Sequence, residues 1–212
     1  MLINLEFRIK KVACVIYPNF SLYEIVDLTS SLVLQYGIKV DYISSNKESV
    51  ISEDGLICQA TKTFDEVNLD DYSCVILPRM SDFTSALKDN TLIQFLKQLK
   101  GKSILVAAIS SAPILLSKAG LLENTTFTGG IWQNFFGYFD FLSRENFIPK
   151  AIHQDKNIVT AIGFAHQELA KKILANLGLC DDVELVDKPS ENLIFNMSDE
   201  DFAEFKSCFE HI

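Results

Sequence analysis

The sequence predicts a three-layer α/β sandwich: a mainly parallel sheet with helices on both faces. Short apolar runs rich in Val and Ile recur at residues 11–17, 39–44, 73–77 and 103–109, the pattern of strands buried on both sides. Segments with helical spacing lie between them and close on glycines. The run at 104–108 passes straight into Ile109-Ser110-Ser111-Ala112-Pro113 and then a helical pattern. A buried strand that stops at a small polar residue and turns at once into a helix is a nucleophile elbow. Strands and helices alternating in this way give a parallel sheet with right-handed crossovers.

Each element follows from local chemistry. Residues 11–17 (KVACVIY) read as a strand, broken by Pro18-Asn19. Ser21 can cap a helix whose apolar positions Leu22, Ile25, Val26, Leu32 and Val33 return at helical spacing, and Gly37 ends it. Residues 39–44 (KVDYIS) read as a second strand, and residues 50–63 as a hairpin around Asp54-Gly55. Residues 73–77 (SCVIL) form a strand stopped by Pro78, and 92–99 an amphipathic helix. The elbow strand over 103–109 precedes a helix over 113–119, ended by Gly120. Residues 151–161 read as a hairpin turning at Asp155-Lys156-Asn157, 167–177 as a helix ended by Gly178, and 199–209 as a terminal helix. Residues 1–180 are expected to form the α/β domain, with 181–212 an extension packed on it.

Composition narrows the class. The chain has 212 residues, 48% hydrophobic and 22% charged, enough to bury one sizeable core. Its net charge is −9, and no Lys/Arg cluster exceeds a pair, which argues against nucleic acid or an anionic membrane as partner. No apolar run reaches the ~18 residues of a membrane span. The first residues carry Glu6 and Arg8, too charged for a secretory signal. Five cysteines at 14, 58, 74, 180 and 208 contain no Cys-x-x-Cys pair and read as reduced thiols in a cytoplasmic protein. His153, His166 and His211 lack metal-ligand spacing, so neither a metal nor a cofactor is expected.

Three segments are expected to leave strands at one edge of the sheet: residues 18–24, Pro78-Arg79-Met80, and the elbow at Ser110. Ligands bind at such an edge in open α/β sheets. The order YPNFSLYE, VILP, VAAISSAPILLSKAGLL and NIVTAIGFAHQELA resembles the ThiJ/PfpI superfamily, of class I glutamine-amidotransferase-like, flavodoxin-like fold. The resemblance runs from about Lys11 to Leu179. It implies a cysteine at the elbow apex, a Glu or Asp on the first helix beside it, and often a His after the next strand. Here the apex is Ser110, the carboxylate position matches Glu24, and residues 126–130 hold no His. The Pro-Gly-Gly implied after the third strand reads Pro78-Arg79-Met80.

The change at the apex alters the chemistry. A thiol with a pKa of about 8.5 supplies thiolate near neutrality. A serine hydroxyl needs a neighbouring base. Ser110 also cannot climb the cysteine oxidation ladder to a sulfinate. The expectation is therefore a degenerate site: a non-catalytic or divergent family member, binding a small molecule. The alternatives are a hydrolase, amidase or hydratase-like enzyme using Ser110 or Glu24, and a dimeric interaction or stress-related protein. His166 opens the helix at 167–177; facing inward, it would complete a triad-like set with Ser110 and Glu24. Arg79 can pair with Glu24 or bind a substrate carboxylate. Ser111, Gly129, Gly130 and Trp132 are the other expected pocket residues, Trp132 because it is expected to follow the strand next to the elbow. Trp132, Phe135, Phe136, Tyr138, Phe139 and Phe141 form an aromatic cluster suited to a core or a homodimer interface.

Overall fold

The computed structural model describes residues 9–179, with 198–200 and 203. The extension expected over 181–212, with its helix over 199–209, lies outside the described residues except at those four positions.

The elements follow in the order β1 (Lys11–Val15), α1 (Tyr23–Ser30), β2 (Val40–Ser44), β3 (Ser49–Ile51), β4 (Ile57–Gln59), β5 (Lys62–Thr63), β6 (Tyr72–Leu77), α2 (Phe83–Lys88), α3 (Asn90–Lys97), β7 (Leu105–Ile109), α4 (Pro113–Lys118), β8 (Ile152–Asp155), β9 (Ile158–Ala161) and α5 (His166–Asn176). A wider π turn, Ser31–Gln35, prolongs α1. Gly37 and Gly178, the expected helix stops, have φ of 61° and 71°, the left-handed conformation that ends helices.

Seven strands form one sheet in the order β5-β2-β1-β6-β7-β9-β8. All neighbours are parallel except β8 and β9, the expected hairpin. The chain leaves β1 toward β2 and later returns to β6 on the other side, so the strand order reverses between β1 and β6. Right-handed crossovers in opposite directions put their helices on opposite faces. Accordingly α1 packs with α5, while α2, α3 and α4 pack together. Strand β7 is buried at every residue, and β1 at all but Lys11, which is why these strands read as continuous apolar runs rather than alternating ones.

Three expectations are corrected, and one short strand is added. Ser21 does not cap α1: its Oγ is buried without a hydrogen-bond partner among the described residues, and the Leu22 N–H instead donates to Asp54 Oδ2 at 3.2 Å, from the β3–β4 turn. The helix expected at 92–99 begins at Asn90, where Asp89 caps it through the Leu92 N–H, and a separate α2, capped by Asp82, precedes it. The two-residue β5 was not expected. The segment before Trp132 is not a strand: Phe127 makes one isolated bridge to Phe147, and the chain from there to Trp132 is irregular.

Candidate functional site

The loops after β1 and β6 flank the point where strand order reverses, and they are laced together. The Tyr17 hydroxyl donates to the Pro78 carbonyl. The Ser21 N–H donates to Arg79 O at 3.0 Å, and the Ser81 N–H to Asn19 O at 3.1 Å. The elbow joins them through Ser111, whose Oγ donates to Met80 O at 2.9 Å and accepts from the Met80 N–H at 3.1 Å. Ser111 thus spends its hydroxyl on fixing the loop after β6.

Ser110 is the apex of the turn from β7 into α4. Its φ is 57°, a left-handed conformation that costs a non-glycine residue about 1–2 kcal/mol. The main chain holds it there: Ser110 N–H donates to Ala161 O, and Gly130 N–H to Ser110 O, both at 2.8 Å. Ser110 is 8% exposed. Gly129 and Gly130 lie against it, and the backbone of Ser110 excludes a side chain at Gly129 while one at Gly130 would crowd the hydroxyl. A Cβ on Gly129 would stand 2.7 Å from Ser110 O, and one on Gly130 3.0 Å from Ser110 Oγ.

Glu24, on the first turn of α1, is brought beside the elbow. Its side chain is fully buried, and Oε2 accepts the Arg79 N–H at 3.1 Å. Among the described residues Oε1 has no hydrogen-bond partner. Burial raises its pKa from 4.5 to about 7, outweighing the Arg79 N–H and guanidinium that favour the ion. Gly163, just after β9, completes the cradle: a Cβ there would lie 2.6 Å from Glu24 Oε1 and 3.4 Å from Ser110 Oγ.

The Arg79 side chain reaches outward to Glu53 in the β3–β4 turn, making an ion pair through Nη2. Its Nε stands 3.9 Å from Glu24 Oε1, beyond hydrogen-bond range. His166 opens α5, but its Nδ1 lies 2.9 Å from Asp27 Oδ2 and its ring meets Tyr23 edge-on at 5.7 Å. His166 therefore hydrogen-bonds Asp27, one turn beyond Glu24, and not Ser110. Trp132 is 72% exposed and stacks edge-on against Phe135. The structure thus brings Ser110, Glu24, Arg79, Ser111, Gly129 and Gly130 together, and directs His166 and Trp132 to other partners. Among the described residues no group of three His, Cys, Asp or Glu is placed to hold a metal ion.

Sequence reasoning missed Glu53, Gly163 and Tyr17. The Asp54-Gly55 turn signal marks the hairpin that carries Glu53, but nothing in it says that the hairpin folds back onto the loop after β6.

Several known proteins share this architecture. The solved structure of a DJ-1 superfamily protein from Agrobacterium tumefaciens superposes with a TM-score of 0.70 at 20% identity, covering 96% of this chain and 100% of that one. Toxoplasma gondii DJ-1, in oxidised form, gives a TM-score of 0.66 at 23% identity over 80% of this chain and 91% of that one. In sequence, an uncharacterized protease of Bacillus subtilis is 37% identical over 83 residues, 39% of this chain and 42% of the relative. An uncharacterized protein of Methanocaldococcus jannaschii is 33% identical over 88 residues, 41% of this chain and 43% of the relative. The chain spans less than half the length of these two relatives. The DJ-1/PfpI family model matches residues 10–176, from the start of β1 to the end of α5, and the chain belongs to that family.

Proposed function

We propose that this chain is a family member whose elbow site has lost nucleophilic chemistry and serves as a small-molecule binding site, or supports a divergent activity. The observation that carries this reading is the state of Ser110: among the described residues its Oγ has no hydrogen-bonded base, and the expected candidate, His166, is engaged with Asp27. A hydroxyl without a base does not become a nucleophile near neutral pH. The test is an assay of the full chain for amidase, esterase and glyoxalase turnover, against Ser110→Ala. Turnover that disappears in that variant overturns the reading.

A second reading is favoured by Glu24 alone. A buried carboxyl whose pKa is raised to about 7 is suited to general acid–base work, so a hydratase-like reaction on a small polar substrate needs no nucleophile. On that reading Glu24→Gln abolishes turnover while the fold is kept.

A homodimer is proposed from the exposed apolar side chains, among them Trp132 and Tyr138. Monomeric sedimentation at micromolar concentration would count against it. A cytoplasmic setting is proposed from Cys14, Cys58 and Cys74, all free thiols. The C-terminal extension is proposed to pack on the same domain.

A further inference from the structure

Helix α1 and the π turn that prolongs it are apolar on both sides. Ile25, Leu28 and Leu32 are buried, while Tyr23, Val26, Val33 and Leu34 stand exposed on the outer side, Leu34 at 82%. A helix that is apolar all round is a buried helix, yet the outer side of this one is open. The β3–β4 hairpin repeats the pattern. Ile51 and Ile57 are cross-strand partners, and both are exposed, as is Leu56 beside them. A lone two-stranded hairpin is marginal in water and gains from a further packed surface. Phe164, just before α5, is almost fully exposed. Eight of the ten large apolar side chains that stand exposed among the described residues therefore lie on these three elements.

The three elements adjoin. The hairpin is bound to the entry of α1: Asn19 N–H donates to Ile51 O at 2.8 Å, Glu53 N–H to Phe20 O at 3.0 Å, and Leu22 N–H to Asp54 Oδ2 at 3.2 Å. Phe164 stands two residues before His166, whose ring meets Tyr23 and whose Nδ1 bonds Asp27 on α1. At about 100 Å² apiece, these side chains present roughly 800 Å², which is what each partner gives to a standard interface and more than the ~300–600 Å² of the largest patch on a typical monomer. The other two exposed side chains, Trp132 and Tyr138, already rest on Phe135 and Phe139 of their own segment.

Charge selects the partner. The chain carries −9 overall, so two copies repel one another across most of their surface. On this face the acids are already engaged: Glu53 is ion-paired with Arg79, Asp27 is hydrogen-bonded to His166, and Asp54 accepts the Leu22 N–H. The face therefore offers a basic partner little to pair with, and it is where two acidic copies meet at least electrostatic cost. We propose that the outer side of α1, with the β3–β4 hairpin and Phe164, is the surface on which a second copy of this chain docks, the same patch serving on both copies. This assignment rests on the homodimer reading and gives it a face. A second copy seated there covers the outer side of the helix whose buried side carries Glu24.

Sedimentation equilibrium of the full chain across the micromolar range is the test. The wild type is expected to be a dimer. Leu34→Glu and Ile57→Glu each place a carboxylate in an apolar joint, and each is expected to weaken dimerisation at least about tenfold. Both side chains are exposed in the single chain, so the fold is kept, which far-UV circular dichroism checks. Trp132→Glu and Tyr138→Glu, on the aromatic segment, are expected to dimerise as the wild type does. A dimer that survives Leu34→Glu and Ile57→Glu combined overturns the proposal. If Trp132→Glu or Tyr138→Glu dissociates that dimer instead, the homodimer reading stands and only the assigned face falls. A monomeric wild type overturns both. The chemistry of the elbow is decided separately, by the turnover assay against Ser110→Ala.

Discussion

The backbone N–H of Arg79 donates to Glu24 Oε2 at 3.1 Å, so a carboxyl on the first helix is held by the loop that follows β6. That contact alone does not keep the carboxyl ionised, because burial outweighs it. The folded-state pKa, about 7, stands above the ordinary 4.5. Between those values the folded chain holds a proton that the unfolded chain has released. The contribution is therefore fully present below about pH 4.5, is lost as pH rises to 7, and is level above that. Glu24→Gln is expected to match the wild type in stability at pH 4.5 and to exceed it at pH 8 by about 1–3 kcal/mol. Urea denaturation at the two pH values checks this, and an unchanged difference between the two proteins would show that Glu24 ionises normally.

Ser111→Ala removes the hydroxyl that bridges the elbow to Met80 N and O, leaving two buried main-chain groups without that partner. A loss of about 1–3 kcal/mol is expected. Thermal unfolding reads it as a fall in Tm of roughly 2–4 °C per kcal/mol in a chain of this length.

Gly163→Ala forces a methyl to within 2.6 Å of Glu24 Oε1. Glu24 is fixed by the Arg79 N–H and buried all round, so either the carboxyl or the backbone after β9 must move. The expected cost is about 1–3 kcal/mol. Alanine at the neighbouring Phe164, which is 92% exposed, is the control and is expected to fall within about 0.5 kcal/mol of the wild type.

The thiols are expected to differ in reactivity. Cys14 and Cys74 lie in strands β1 and β6, fully buried, and burial pushes both well above the ordinary thiol range. Cys58 is only half-buried and is raised less. The thiolate is the reactive form, so Cys58 is expected to take up maleimide before Cys14 and Cys74, with peptide mapping as the readout. Equal labelling of all three would mean that the sheet opens on the labelling timescale. Under peroxide, Ser110 is expected to show no mass change.

The fold was legible because its strongest physical signals are local. Strands β1, β6 and β7 are apolar apart from Lys11 and Ser73, since helices cover both faces of the sheet. The small residues around Ser110 announced the elbow, and Asp54-Gly55 the hairpin. The site was half legible. Glu24, Arg79 and Ser111 converge because they follow strands that end at one sheet edge, which topology alone predicts. The partners of His166 and Arg79 were not legible. Asp27 and Glu53 are ordinary acidic residues in sequence, and only tertiary placement aims them. Ser21 failed as a cap for the same reason: Asp54, 32 residues from Leu22, reached the helix end first. The six-residue α2 was hidden by its brevity and β5 by its two residues, too few for any periodicity to emerge.

The left-handed backbone at Ser110 is imposed from outside the residue, by Ala161 O and by Gly130 N–H. Nothing in that scaffolding depends on the hydroxyl. The position is in effect a socket: it admits any small unbranched side chain at similar conformational cost and excludes Val, Ile and Thr, whose branching makes positive φ prohibitive. Exchange to cysteine is expected to present a thiol from the same main-chain conformation. The position is thus one substitution away from a different chemistry, and the chain offers itself as a scaffold on which a thiol and a hydroxyl can be compared at one fixed turn.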